Sequence, residues 1–90
     1  DGYEEFIENS NELFNPETAV EQKEFNNFFF RVIDELPEKL KQIYIMREFE
    51  NLSYQEISAI INKPIGTVES RLFAARQQLK TKYLQWRQNL

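Results

Sequence analysis

The side chains able to do chemistry in this chain lie between Ser53 and Gln77, and what they can do is recognise rather than react. Gly66, Thr67, Glu69, Ser70, Arg71 and Phe73, with Ala74 or Gln77 beyond them, fall on the side of a helical repeat opposite its apolar stripe of Ile65, Val68, Leu72, Ala75, Leu79, Tyr83 and Trp86. Such a set suits the edges of bases in a major groove. Arginine donates to guanine, a carboxylate such as Glu69 accepts from the cytosine amino group, and an aromatic or alanine side chain touches the thymine methyl. Just upstream, Ser53, Tyr54 and Gln55 stand at a helix start, where unpaired amides and the helix dipole favour a phosphate. Lys63 stands among the bases available for backbone contacts. Phe73 draws notice because a large aromatic on the polar side of an amphipathic helix is unfavourable in water unless another surface covers it. A groove, the edge of the core or the acidic N-terminal arm would each serve as that cover. Ser53 and Glu56 act first as a helix cap, and Lys80, Lys82 and Arg87 read as a solvated face.

Composition removes most alternatives. The chain has 90 residues, 41% of them hydrophobic, with no Cys and no His. Disulfides, thiolate chemistry, histidine metal sites and imidazole catalysis are therefore excluded, and no enzymatic activity, metal or other cofactor is expected. Glu4, Glu5 and Glu8 lack the ligand spacing and glycine of a calcium loop. No apolar run approaches the roughly 18 residues of a membrane span, and the acidic start is unlike a signal peptide. Absent cysteine fits a reducing compartment, so a cytoplasmic location is expected without membrane or small-molecule partners. The chain starts at Asp1 without an initiator Met, which predicts either a piece of a longer protein or a processed one.

The net charge of −4 is unevenly distributed. Residues 1–38 hold eleven acids against Lys23 and Arg31, a balance of −9, whereas residues 39–90 hold nine bases against four acids, a balance of +5. From Lys63 to Arg87 there are six bases and the single acid Glu69. About three to five phosphate contacts from such a set would give a log-log salt slope of about −3 to −4.

The elements that position these residues are marked by their punctuation. Residues 1–15 read as an acidic linker or arm, and residues 16–90 as one domain. Asn15-Pro16 and Thr18 with Glu21 both offer starts for a first helix, between Pro16 and Ala19. Phe25, Phe28, Phe29, Val32, Ile33 and Leu36 give it a broad apolar face. Pro37 ends it, because the residue before proline is pushed out of the α region, and opens the second helix. That helix shows Leu40, Ile43, Tyr44 and Phe49 on one face, widened by Ile45 and Met46, and ends at Asn51-Leu52. Ser53 and Glu56 form a capping box for a third helix reaching about Ile61, with Ile57, Ile60 and Ile61 along one side. Asn62 takes the positive φ that a tight helix-to-helix turn needs, and a fourth helix opens within Lys63 to Gly66. The expected fold is an all-α four-helix domain with a C-terminal helix-turn-helix and no wing.

The order of these signals resembles a known family. Leu36-Pro37-Glu38, Arg47-Glu48, Leu52-Ser53-Tyr54 with Glu56-Ile57, Pro64 with Gly66-Thr67-Val68, Ser70-Arg71-Leu72, and Ala75-Arg76 with Leu79 are similar to region 4 of bacterial RNA polymerase sigma factors, most of all the extracytoplasmic-function type. The resemblance spans about Glu17 to Tyr83. It implies recognition of the −35 promoter element in double-stranded DNA by the second motif helix, docking on the β flap of core RNA polymerase, and possible capture by an anti-sigma factor. By position, Arg47 matches a phosphate or groove contact just ahead of the motif, and Ser70, Arg71 and Phe73 match groove-facing residues. The residues before Glu17 resemble the linker to region 2. Four positions depart from the family pattern: Glu69 where a basic residue is usual, Ala74 where Arg is frequent, Ser58 for alanine, and Asn62 for the turn glycine. The residues taken alone leave two other readings open, the output domain of a response regulator and a helical protein-interaction module that does not bind DNA.

Overall fold

The computed structural model describes residues 18–89. Four helices follow one another: α1 Ala19–Glu35, α2 Glu38–Glu48, α3 Tyr54–Ile61 and α4 Ile65–Gln88. The start of α1 is set by Thr18, whose hydroxyl accepts from the Glu21 amide at 3.0 Å. The alternative start at Pro16 and the acidic arm lie outside the described residues. Leu36 is extended, with ψ 147°, as a residue before proline must be. Pro37 is the N-cap of α2, and its carbonyl accepts from the amides of Leu40 and Lys41 at 2.9 Å. Lys41 Nζ donates to Asp34 Oδ1 at 2.6 Å across this corner, and that bond holds the lysine pKa above its ordinary value.

The α2 to α3 connection is short and closely bonded. The backbone reverses at Asn51, which adopts a φ of 58°, and the Leu52 amide reaches back to the Met46 carbonyl at 3.0 Å. Ser53 and Glu56 then form the complete capping box, with the Glu56 amide donating to Ser53 Oγ and the Ser53 amide to Glu56 Oε1, each at 3.0 Å. The Ser53 amide, and after it the Ser53 hydroxyl, favour the carboxylate and hold the Glu56 carboxyl below its ordinary pKa.

The core is assembled around α4, which packs against each of the other three helices. Phe25 from α1, Ile43 from α2, Ile57 from α3, and Val68 and Leu72 from α4 are its most deeply buried large side chains. At one end, Phe25, Phe28, Phe29, Tyr83 and Trp86 make an aromatic cluster, in which Phe28 stacks on Trp86 with ring centroids 4.8 Å apart. Among the described residues no polar or charged side chain is buried. The stability of the domain therefore comes from apolar burial.

Two of the expected apolar contacts differ. Ile60 is 61% exposed and Ile65 38% exposed, although each continues an apolar stripe. A helix of only eight residues turns one narrow face inward, and in α3 that face is filled by Ile57 with partial help from Ile61. Ile65 is the first residue of α4 and stands ahead of the point, at Val68, where that helix enters the core.

Candidate nucleic-acid interface

The interface is built on α3, α4 and the turn between them. Asn62 closes α3 with φ 56° and ψ 49°, the left-handed conformation that asparagine tolerates better than most residues. The amides of both Asn62 and Lys63 bond back to the Ser58 carbonyl. The Ser58 hydroxyl donates in turn to the Lys63 carbonyl. Ser58 thus bridges the turn from both its backbone and its side chain. Pro64 follows as the N-cap of α4 and offers no side-chain cap, so the α4 entrance keeps amides available to an anion.

With Val68, Leu72, Ala75 and Leu79 buried, the opposite side of α4 is fixed by geometry. Gly66, Glu69, Ser70, Phe73 and Gln77 are exposed, and Thr67, Arg71 and Ala74 flank them half-buried. Phe73 is 65% exposed, which removes packing against the core from its possible roles. Ser70 Oγ is bonded to the Thr67 carbonyl at 3.1 Å, and the rest of its hydrogen-bonding capacity faces outward. Gly66 is helical with a negative φ, and a methyl group built on it would meet nothing within 4 Å. Neither conformation nor packing inside the domain requires a glycine there.

At the start of α3, Gln55 is exposed while Ser53 and Tyr54 are half-buried. Arg47 reaches this point from the end of α2. Its Nη1 donates to the Leu52 carbonyl at 3.0 Å, and its guanidinium lies 5.2 Å from the centre of the Tyr54 ring. Arg47 therefore braces the entrance of α3, and its planar fork carries further N–H donors besides the one bonded to Leu52. Lys63 is exposed at the turn.

One contact lay beyond sequence reasoning. Arg76 belongs to the basic series of the C-terminal half, yet Nη2 meets Glu48 Oε1 of α2 at 2.5 Å. Partial burial works against its charge, but the Glu48 hydrogen bond and charge more than offset this and raise its pKa. The signal that could have suggested it, the acid of Arg47-Glu48 facing the base of Ala75-Arg76, is a pairing of residues 28 apart.

The family model for sigma-70, region 4 matches residues 29–79, more than half of the chain. The chain belongs to the sigma-70 region 4 family. Relatives include the ECF RNA polymerase sigma-E factors of Escherichia coli (strain K12) and Salmonella typhimurium (strain LT2), each 44% identical over 71 residues, which covers 79% of this chain and 37% of theirs. The Haemophilus influenzae protein of the same description is 42% identical over 67 residues, covering 74% of this chain and 35% of its own. The chain thus spans a little over a third of the length of these relatives. Family membership agrees with the four-helix fold and with the extracytoplasmic-function resemblance of the sequence. Among the described residues no helix is long and apolar enough to cross a membrane.

Proposed function

We propose that this domain recognises promoter DNA at the −35 element and docks on the β flap of core RNA polymerase during transcription initiation, without catalysing a reaction itself. The observation that carries this reading is the solvent-facing side of α4, where Gly66, Glu69, Ser70, Phe73 and Gln77 stand exposed beside Arg71 in a chain of the sigma-70 region 4 family. The first turns of α4 enter the major groove. Ser53, Tyr54, Gln55 and Lys63 hold the phosphate backbone on either side, which fixes register, while Arg71, Glu69 and Phe73 contact base edges. Regulation by an anti-sigma factor in the cytoplasm belongs to the same proposal.

Glu69 gives the reading its specificity. A carboxylate at the reading face repels phosphate and accepts a hydrogen bond from cytosine, so a base preference rather than a general gain in affinity is expected from it.

Fluorescence anisotropy on duplexes selected from a randomised pool tests the assignment. Arg71→Ala should cost about 1 to 3 kcal/mol and relax preference at one base position, while Lys80→Ala should weaken all sequences slightly. Selection with Glu69→Arg should return a different preferred base. Equal losses for both variants on selected and random DNA, with an unchanged preference for Glu69→Arg, would refute the reading.

A further inference from the structure

An open groove of about 570 Å³ separates α2 from the α3 to α4 turn. Its floor is apolar, formed by Ile45, Met46, Ile60 and Ile61, and its rim carries Lys39, Lys63 and Arg71 against the single acid Glu50. The exposure of Ile60 is unusual for a large aliphatic side chain beside three cations, and an apolar floor with a basic rim calls for an occupant that is apolar and acidic together. Lys39, Lys63 and Arg71 enter neither of the two described ion pairs, Lys41 with Asp34 and Arg76 with Glu48.

We propose that the occupant is this chain's own segment 3–8, and that its docking competes with DNA. The segment reads Tyr3, Glu4, Glu5, Phe6, Ile7, Glu8, and the whole stretch 1–17 holds six acids and no base. Phe6 and Ile7 cover the Ile45, Met46 and Ile60 floor, while Glu4, Glu5 and Glu8 face Lys39, Lys63 and Arg71. The reach suffices. From Thr18 the 17 residues of α1 carry the chain about 25 Å to the α2 corner beside Lys39. The 12 residue-to-residue steps from Thr18 back to Phe6 span up to about 40 Å when extended. Tethering makes the encounter intramolecular, so a modest affinity is enough to hold it. Since Lys63 and Arg71 belong both to this rim and to the DNA-facing set, a docked segment withdraws them from DNA and adds three carboxylates beside the phosphates. The inhibitory consequence rests on the DNA-binding reading, whereas the docking itself does not.

The absence of cysteine from these 90 residues permits a direct test in the 90-residue chain without DNA. Under mild oxidation, Phe6→Cys paired with Ile60→Cys should form an intramolecular disulfide faster than Phe6→Cys paired with Leu84→Cys. Leu84 is exposed on the part of α4 that lies beside the first half of α1, nearer the point where the segment is tethered. A faster reaction at position 84, or disulfides formed only between molecules, would overturn the docking. For competition, Phe6→Ser with Ile7→Ser leaves the net charge unchanged and should tighten binding to a selected duplex about 3- to 10-fold, as expected when a blocked state is removed. Unchanged affinity in that variant, with Arg71→Ala still impairing DNA binding, would overturn the competition while leaving the DNA reading intact.

Discussion

Arg76 and Glu48 join α4 to α2 through an ion pair of 2.5 Å between residues 28 apart in sequence. Immediately before Glu48, Arg47 joins the same helix end to Tyr54 at the entrance of α3. Two consecutive residues of α2 therefore hold both helices of the helix-turn-helix. The relative placement of α3 and α4, on which simultaneous phosphate and base contacts would depend in the proposed DNA complex, is set by this double attachment together with the Ile57 and Val68 core.

Arg76 should accordingly behave as a strut and not as a DNA contact. The pair is partly exposed, with side-chain exposures of 51% and 24%, so solvent screening limits its worth to about 0.2 to 1 kcal/mol. A double-mutant cycle with Arg76→Ala and Glu48→Ala should return a coupling in that range. The salt slope for DNA binding should stay unchanged in Arg76→Ala, measured by anisotropy between low and moderate salt. A slope reduced by about one would place Arg76 on a phosphate instead.

Arg47 is a brace in the fold and, in the proposed complex, a DNA contact as well. Removing it by Arg47→Ala deletes a charged hydrogen bond to the Leu52 carbonyl and the contact with the Tyr54 ring, and should lower stability by about 1 to 2 kcal/mol. Arg47→Lys should recover only part of this, because an ammonium cannot supply the planar fork that bonds and stacks at once. If Arg47 also meets a phosphate in the proposed DNA complex, the salt slope should fall by about one as well. Thermal melts and salt titrations of the same variants check both statements. A lower melting temperature with an unchanged slope would leave Arg47 as a brace alone.

The helix boundaries were legible because they are written in local chemistry: Pro37 forces Leu36 out of the helix, Ser53 with Glu56 starts α3, and Asn62 accepts the left-handed turn. Burial was less legible. Ile60 and Ile65 continue apolar stripes, and only the short length of α3 and the late entry of α4 into the core leave them exposed. Periodicity registers which residues share a helix face but not how far along the helix its partners extend. Long-range pairings such as Glu48 with Arg76 leave no periodic trace at all. The placement of the candidate recognition residues on the outer side of α4 followed from the stripe they oppose, whereas the open space around Gly66 and the exposure of Phe73 required the packed neighbours.

Ser58 and Asn62, both departures from the family pattern, act on one turn. The backbone at Asn62 is left-handed, so Asn62→Ala should destabilise the domain by about 1 kcal/mol and Asn62→Gly should be neutral or stabilising. Ser58→Ala removes the hydroxyl bond to the Lys63 carbonyl and should cost about 1 kcal/mol. Chemical denaturation of the three variants decides the point, and an Asn62→Ala protein as stable as the parent would show that the turn relaxes to a different backbone.

Glu56 makes the α3 entrance sensitive to acid. Its carboxyl titrates below the ordinary value of 4.5 in the folded chain because the Ser53 amide and hydroxyl favour the carboxylate. A depressed folded pKa contributes stability that is present above the unfolded pKa and lost as pH falls through the folded one. The contribution should therefore be complete at neutral pH and disappear on acidification past 4.5. Glu56→Gln should flatten that part of the stability profile, and Ser53→Ala should do so while also costing about 1 kcal/mol at neutral pH through loss of the cap. Equilibrium unfolding followed from pH 7 downward checks both, and a parental profile as flat as that of Glu56→Gln would contradict the assignment.

Gly66 separates the needs of the fold from those of the ligand. It stands at the second position of α4 with open space where a side chain would be, so Gly66→Ala relieves the entropic cost of glycine in a helix and should stabilise the domain by about 0.5 to 1 kcal/mol. If the α4 entrance approaches a phosphate or a base edge closely, the added methyl group should weaken binding to a selected duplex at the same time, and a larger side chain in Gly66→Val should weaken it further. Stability and affinity then move in opposite directions. A stabilised Gly66→Ala protein with undiminished DNA affinity would show that the backbone at the start of α4 keeps its distance from the nucleic acid.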